Sequence, residues 1–197
     1  MKKHESTPAG PVAVSVKLEK VKGPIPKMRR VPGRARLTPE TRKALRRVSY
    51  HESGHLVALL SFGRFGLAQV RPTGLRGWRA FTGWVSMENT LTAWQAAVMG
   101  WAGPLAETVF DERGKDPRKL LGSRRWLRDH HFPTRFRVSE TDLHHINRYS
   151  NQKRTFLAAA RVLHKWLDNV ELHAWLFYAW AHTAEERPEL VVRLDQP

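Results

Sequence analysis

The 197-residue chain contains no cysteine. Disulfides, thiolate nucleophiles and cysteine-based metal sites are excluded, so any metal must be held by His, Asp or Glu. No apolar run approaches the ~18 residues needed to span a bilayer, and no secretory leader precedes the apolar core. The expectation is a soluble, cytoplasmic protein with no membrane span. No Gly-x-x-x-x-Gly-Lys-Ser/Thr loop occurs, so the sequence carries no P-loop signature. Aromatic residues are absent before Tyr50, and acids are few in the same stretch.

The scarcity of acids shapes the charge. Lys and Arg number 34 against 18 Asp and Glu, a formal net charge of +16. Residues 1–47 hold 14 of these cations against 3 acids, residues 112–137 hold 9 against 3, and the rest is nearly neutral at 11 against 12. The basicity therefore belongs to a tail and an insert. Residues 1–37, rich in Lys, Arg, Pro and Gly and without amphipathic period, read as a disordered basic tail. Residues 1–47 and 112–137 are candidate contacts for nucleic acid or another polyanion. No stacking aromatic accompanies the tail charges, so that contact would be electrostatic, and a merely solubilising tail is the alternative. Residues 38–197 read as one domain with one core.

The centre of that domain is the stretch 48–60, which contains His51-Glu52-Ser53-Gly54-His55 within an apolar run. On a helix, residues four apart share a face, so both imidazoles point the same way. That suits two ligands of a tetrahedral Zn²⁺, with Glu52 able to reach a water beside the metal. The alternative is a pair of surface histidines beside a solvated glutamate. A metallohydrolase is the reading preferred. Thr38-Pro39-Glu40 supplies an N-cap, a first-turn proline and a first-turn acid, and Gly63 a stop. Gly54 weakens the helix by roughly 1 kcal/mol relative to Ala, which implies a close neighbour.

Further along, residues 69–72 and 81–87 read as strands around a turn at Gly74–Gly77. The second has the mixed character of an edge strand, so Gly83, Trp84, Val85 and Ser86 are candidate substrate-binding residues that could pair with an extended main chain. An ordinary hairpin is the alternative. A second helix is predicted from Thr92 to Phe110, with Gln95 completing a capping box and Gly103-Pro104 introducing a kink. Glu107 in this apolar helix must be paired, close to a metal or turned to solvent. Residues 111–137 show no regular period and read as a solvated basic insert. Its Arg124, Arg125 and Arg128, with His130 and His131, have the chemistry to hold phosphate or an acidic peptide. Ser139 opens another helix. From Phe156 through Ala160, Leu163, Leu167, Val170, Ala174 and Phe177 to Ala181 the apolar residues alternate spacings of four and three. That seam is expected to pack on the protein's own core.

Several of these segments, in this order, resemble the peptidase domain of the FtsH-type AAA zinc metalloproteases. Tyr50-His51-Glu52-Ser53-Gly54-His55 is similar to that family's Tyr-His-Glu-Ala-Gly-His. The stretch Arg76–Met87 looks like its segment leading into a substrate-facing edge strand. Met99-Gly100-Trp101-Ala102-Gly103-Pro104-Leu105-Ala106-Glu107 resembles its Leu-Gly-Gly-Arg-Ala-Ala-Glu. Val138-Ser139-Glu140-Thr141-Asp142-Leu143 stands where the family has Gly-Ala-Ser-Asn-Asp-Leu, whose second Asp is the third zinc ligand.

The resemblance implies a mostly α (α+β), zincin-like helical peptidase domain with a small β-hairpin near the active site. It implies Zn²⁺ held by His51, His55 and Asp142, with Glu52 as the catalytic base. Glu107 is the alternative third ligand and otherwise a candidate to support one. The family's ATPase module and membrane anchor have no counterpart here, the loop before Asp142 is longer, and Pro104 replaces a helical residue. The function implied is an ATP-independent endopeptidase acting on unfolded or flexible protein segments, with a separate unfoldase as a possible partner. The rival is a non-catalytic, nucleic-acid-associated regulatory protein that keeps a zincin fold.

Overall fold

The computed structural model describes residues 13–15, 38–64, 67–73, 77–83, 91–112, 114–131, 136, 138–183 and 191–193. Within them the chain is mostly helical, with seven α-helices and four short strands. No helix among the described residues is long and apolar enough to cross a membrane.

Helix α1 spans Pro39–Ser61. The Thr38 hydroxyl accepts from the Thr41 backbone N–H at 3.2 Å, which satisfies a donor that the first turn leaves unpaired. The helix ends where Gly63 takes φ +64°, a left-handed conformation that costs glycine little. Helix α2, Ala93–Asp111, begins with a capping box in which Thr92 and Gln95 bond each other's backbone N–H. It runs through Pro104 as one helix. Every residue from Ala96 to Ala106 is buried, as expected of a helix apolar all round.

That burial follows from position: α2 packs against α1 and also against α5 (Glu140–Asn147) and α6 (Gln152–Lys165). At Gly54, α1 and α2 approach closely. A Cβ added there would stand 2.4 Å from the Ala102 carbonyl oxygen and 2.8 Å from the Ala106 Cβ. Trp101, fully buried on α2, meets Phe156 and Phe136 edge-on at centroid distances of 5.1 and 5.8 Å. Truncating it to Ala would cost about 3–5 kcal/mol.

The apolar seam beyond Tyr149 forms two helices rather than one: α6 ends at Lys165 and α7 spans Leu167–Thr183. The seam residues from Phe156 to Phe177 are all buried. The break at Trp166 accompanies a change of partner, since α6 packs chiefly on α2 and α7 on α1. The insert also departs from expectation. It contains α3 (Pro117–Gly122) and α4 (Arg124–His130), capped by Asp116 and Ser123, and Leu120, Leu121, Trp126 and Leu127 are buried. It is not a solvated loop, because its apolar residues join the core.

Four strands form one sheet in the order β1-β4-β2-β3. Strands β2 (Leu67–Thr73) and β3 (Gly77–Gly83) pair antiparallel, from Leu67 opposite Gly83 to Thr73 opposite Gly77. β3 therefore begins four residues before the strand predicted at 81–87, and Gly77 belongs to it rather than to the turn. The two strands lie against α1. Three residues of the stretch read as a disordered tail form β1, Ala13–Ser15, paired parallel to β4, Val191–Arg193. The remaining tail residues lie outside those described.

Candidate metal centre

Three side chains from two helices converge. His51 and His55, one turn apart on α1, place their Nε2 atoms 3.0 Å from each other. Asp142, in the first turn of α5, brings Oδ1 to 3.0 Å from His55 Nε2 and Oδ2 to 3.3 Å from His51 Nε2. His55 and Asp142 are buried, and His51 is partly so. One donor atom from each residue lies within 4.8 Å of the others, an arrangement able to hold a metal ion.

The hydrogen bonds behind the ligands fix which atoms face inward. His55 Nδ1 donates to the Met99 carbonyl at 2.8 Å, and His51 Nδ1 donates to Glu107 Oε2 at 3.2 Å. Both acceptors hold the proton on Nδ1, so the neutral tautomer of each ring points an Nε2 lone pair at the other ring and at a carboxylate. Three electron-rich atoms this close repel one another unless a cation lies between them. Tetrahedral bonds of ~2.0–2.1 Å set ligand atoms about 3.3 Å apart, close to the distances seen. The donor set fits a divalent ion. Carboxylate and carbonyl acceptors on Nδ1 are also the usual supports of metal-binding imidazoles.

The support for Asp142 has a local origin. Asp142 is the N3 residue of α5, and Ser139, the N-cap, donates its hydroxyl to Asp142 Oδ2 at 2.7 Å. The capping interaction that starts the helix thus also orients the carboxylate. Glu107 is held from its far side by the Arg47 guanidinium, which also lies 3.7 Å from Asp111. Glycines on α2 make the room. A Cβ at Gly103 would fall 2.4 Å from His55 Nε2, and one at Gly100 would fall 2.9 Å from the Asp142 carbonyl oxygen.

Electrostatics agree with the geometry. Burial works against a charged His51, but hydrogen bonds to Asp142 and Glu107 outweigh it and lift its pKa to about 10. Burial likewise opposes ionised Asp142, yet the adjacent His55 and His51 hold its carboxyl far below the usual range. Burial also pushes Glu107 up, against the stronger combined effect of His51 and Arg47, which keep it low. Glu52 sits beside this cluster, 4% exposed, and burial raises its pKa. A carboxyl raised in this way is a stronger base than an exposed glutamate.

The structure thus brings His51, Glu52, His55 and Asp142 together and places Glu107 behind His51 rather than among the converging atoms. Gly83 ends β3, an edge strand, while Trp84, Val85 and Ser86 lie outside the described residues. Sequence reasoning gave Arg47, Ser139, the Met99 carbonyl, Gly100 and Gly103 no part in the metal centre. The small residues of α2 at 96, 97, 100, 102, 103 and 106 were the visible signal that other groups approach its backbone. No protein-family model, curated protein or solved structure matches the chain.

Proposed function

We propose that the chain is a zinc-dependent endopeptidase of zincin-like build, acting without ATP on unfolded or flexible protein segments. The observation that carries this reading is the inward-facing trio of His51 Nε2, His55 Nε2 and the Asp142 carboxylate, with buried Glu52 alongside. When bound there, a zinc ion polarises a scissile carbonyl and acidifies water. His51, His55 and Asp142 would hold the ion. Glu52 accepts the proton of the attacking water and returns it to the leaving amine. Glu107, tied to Arg47, keeps the His51 ring oriented.

A substrate would lie extended along the outer edge of β3 and the residues after it, Gly83 to Ser86, forming main-chain hydrogen bonds in the manner of an added strand. The position of β3 at the edge of the sheet and against α1 supports this. The intact Glu52 favours an enzyme over a structural metal site, which has no use for that carboxylate. The competing reading, a nucleic-acid-associated regulatory protein, rests on the 14 cations of residues 1–47.

The experiment is metal analysis of the purified protein alongside proteolysis of casein, with Glu52→Gln as control. One zinc per chain and casein cleavage that the variant lacks is the expected result. A zinc-loaded wild type that cleaves no unfolded substrate would favour the regulatory reading.

A further inference from the structure

The basic insert acquires a shape once α4 is placed beside α6. A cleft of about 630 Å³ opens between α3, α4 and α6, away from the metal ligands. Arg124 and Arg128 enter it from α4, and Lys153 and Arg161 from α6. None of the described residues lining it is acidic. All four cations are exposed, and among the described residues only Arg128 is ion-paired, with its neighbour Asp129 at 3.3 Å.

A second cleft, along the N-terminal half of α1, provides the contrast. It too is rich in cations, but acids line it in equal number, and its Arg47 and Lys115 are already paired with Glu107 and Glu112. Of these two clefts, the one between α4 and α6 keeps the uncompensated positive field.

Its interior defines the ligand further. Leu157, partly exposed, lines the cleft, and the edges of the buried Leu121 and Leu127 form its floor. No Trp, Tyr or Phe is among the described residues lining it, so nucleic-acid bases would find only the smaller His131 and His164 imidazoles to stack on. Arg124 and Arg128, four apart on α4, stand about 6 Å apart along its axis, and Lys153 and Arg161, eight apart on α6, about 12 Å. Acidic side chains at i, i+4 of a helix, or i, i+2 of an extended chain, recur at a comparable repeat.

We propose that this cleft docks an acidic, leucine-bearing segment of a partner protein. Its carboxylates pair with Arg124, Arg128, Lys153 and Arg161, and its apolar side chains cover the leucines. Docking here does not depend on the peptidase reading, because the cleft shares no residue with the metal centre.

The test uses the full chain carrying Glu52→Gln, so that a bound peptide is not cut. Fluorescence anisotropy compares a labelled peptide of repeated Leu-Glu-Glu units with a Ser-Glu-Glu peptide of equal charge and with an oligo-dT strand. The basic stretch 1–47 should hold the two peptides alike, so the cleft is read from their difference. The leucine peptide should bind at least about tenfold more tightly. Arg128→Glu with Arg161→Glu should abolish that preference, and Lys153→Glu alone should reduce it; all three positions are exposed, so folding is spared. Equal affinity for the two peptides would overturn the proposal. So would a preference that survives charge reversal, or reversal that releases only the oligonucleotide, which would assign the cleft to nucleic acid.

Discussion

Gly103 lies so close to His55 that a Cβ built on it would stand 2.4 Å from the ring's Nε2. Two effects of Gly103→Ala then oppose each other. Alanine favours a helix interior by about 1 kcal/mol over glycine, so the helix alone would gain. The methyl group, however, would displace His55 from its place opposite His51 and Asp142. Metal affinity should fall by about tenfold or more while the chain stays folded, as isothermal titration with zinc and circular dichroism would show. A variant with raised Tm and unchanged affinity would mean that the ring does not sit against Gly103.

Asp142 and Glu107 are both carboxylates near His51, but they meet opposite ring nitrogens. Asp142→Ala removes one of three converging ligands. Glu107→Gln keeps an acceptor for His51 Nδ1 and loses only its charge. The second change should weaken zinc by about 10–100-fold, the usual effect of altering a ligand's support, and the first by more. Competition with a chelating dye ranks the two. A larger loss for Glu107→Gln would exchange their roles.

His173 on α7 is 1% exposed, and neither ring nitrogen has a hydrogen-bond partner among the described residues. Burial lowers its pKa from the ordinary 6.5 to about 4. Between those values the unfolded chain binds a proton at this residue and the native chain does not. Stability is therefore complete above pH 6.5 and falls as the pH drops toward 4, by about 3 kcal/mol in all. His173→Leu should remove this acid-side slope and, by ending an unsatisfied burial, add about 1 kcal/mol or more at neutral pH. Urea denaturation from pH 4 to pH 7 measures both. Parallel pH profiles for the two proteins would show that His173 is solvated or bonded.

The beginnings of elements could be read from local chemistry. Thr38-Pro39-Glu40, Thr92 with Gln95, and Ser139 each start a helix where their side chains predict one, because a cap is settled within four residues. His51, Glu52 and His55 were legible for the same reason. Long-range consequences were not. The seam of apolar residues crosses Trp166 without interruption, since packing on α2 and then on α1 demands the same residue types. Helices of six and seven residues, α3 and α4, are too short to show a period. The approach of Gly100 and Gly103 to α5 and α1 exists only once the helices are packed, and the same holds for the Arg47 bond that steadies Glu107.

The peptidase reading carries a limit on what can be cut. A main chain must be extended to lie along β3, whereas a folded domain resists opening by about 5–15 kcal/mol. The sequence has no P-loop with which to spend ATP on that opening. Cleavage should therefore be confined to unfolded chains, loops and tails, and tightly folded domains should be spared unless a separate unfoldase delivers them. For a substrate that is cut only when open, the rate follows the open fraction, so destabilising it by ~1.4 kcal/mol should speed cleavage about tenfold. One substrate protein in stable and destabilised forms, incubated with the purified chain with and without ATP, provides the measurement. Equal cleavage of both forms, or stimulation by ATP with no second protein present, would show that substrates reach the metal by another route.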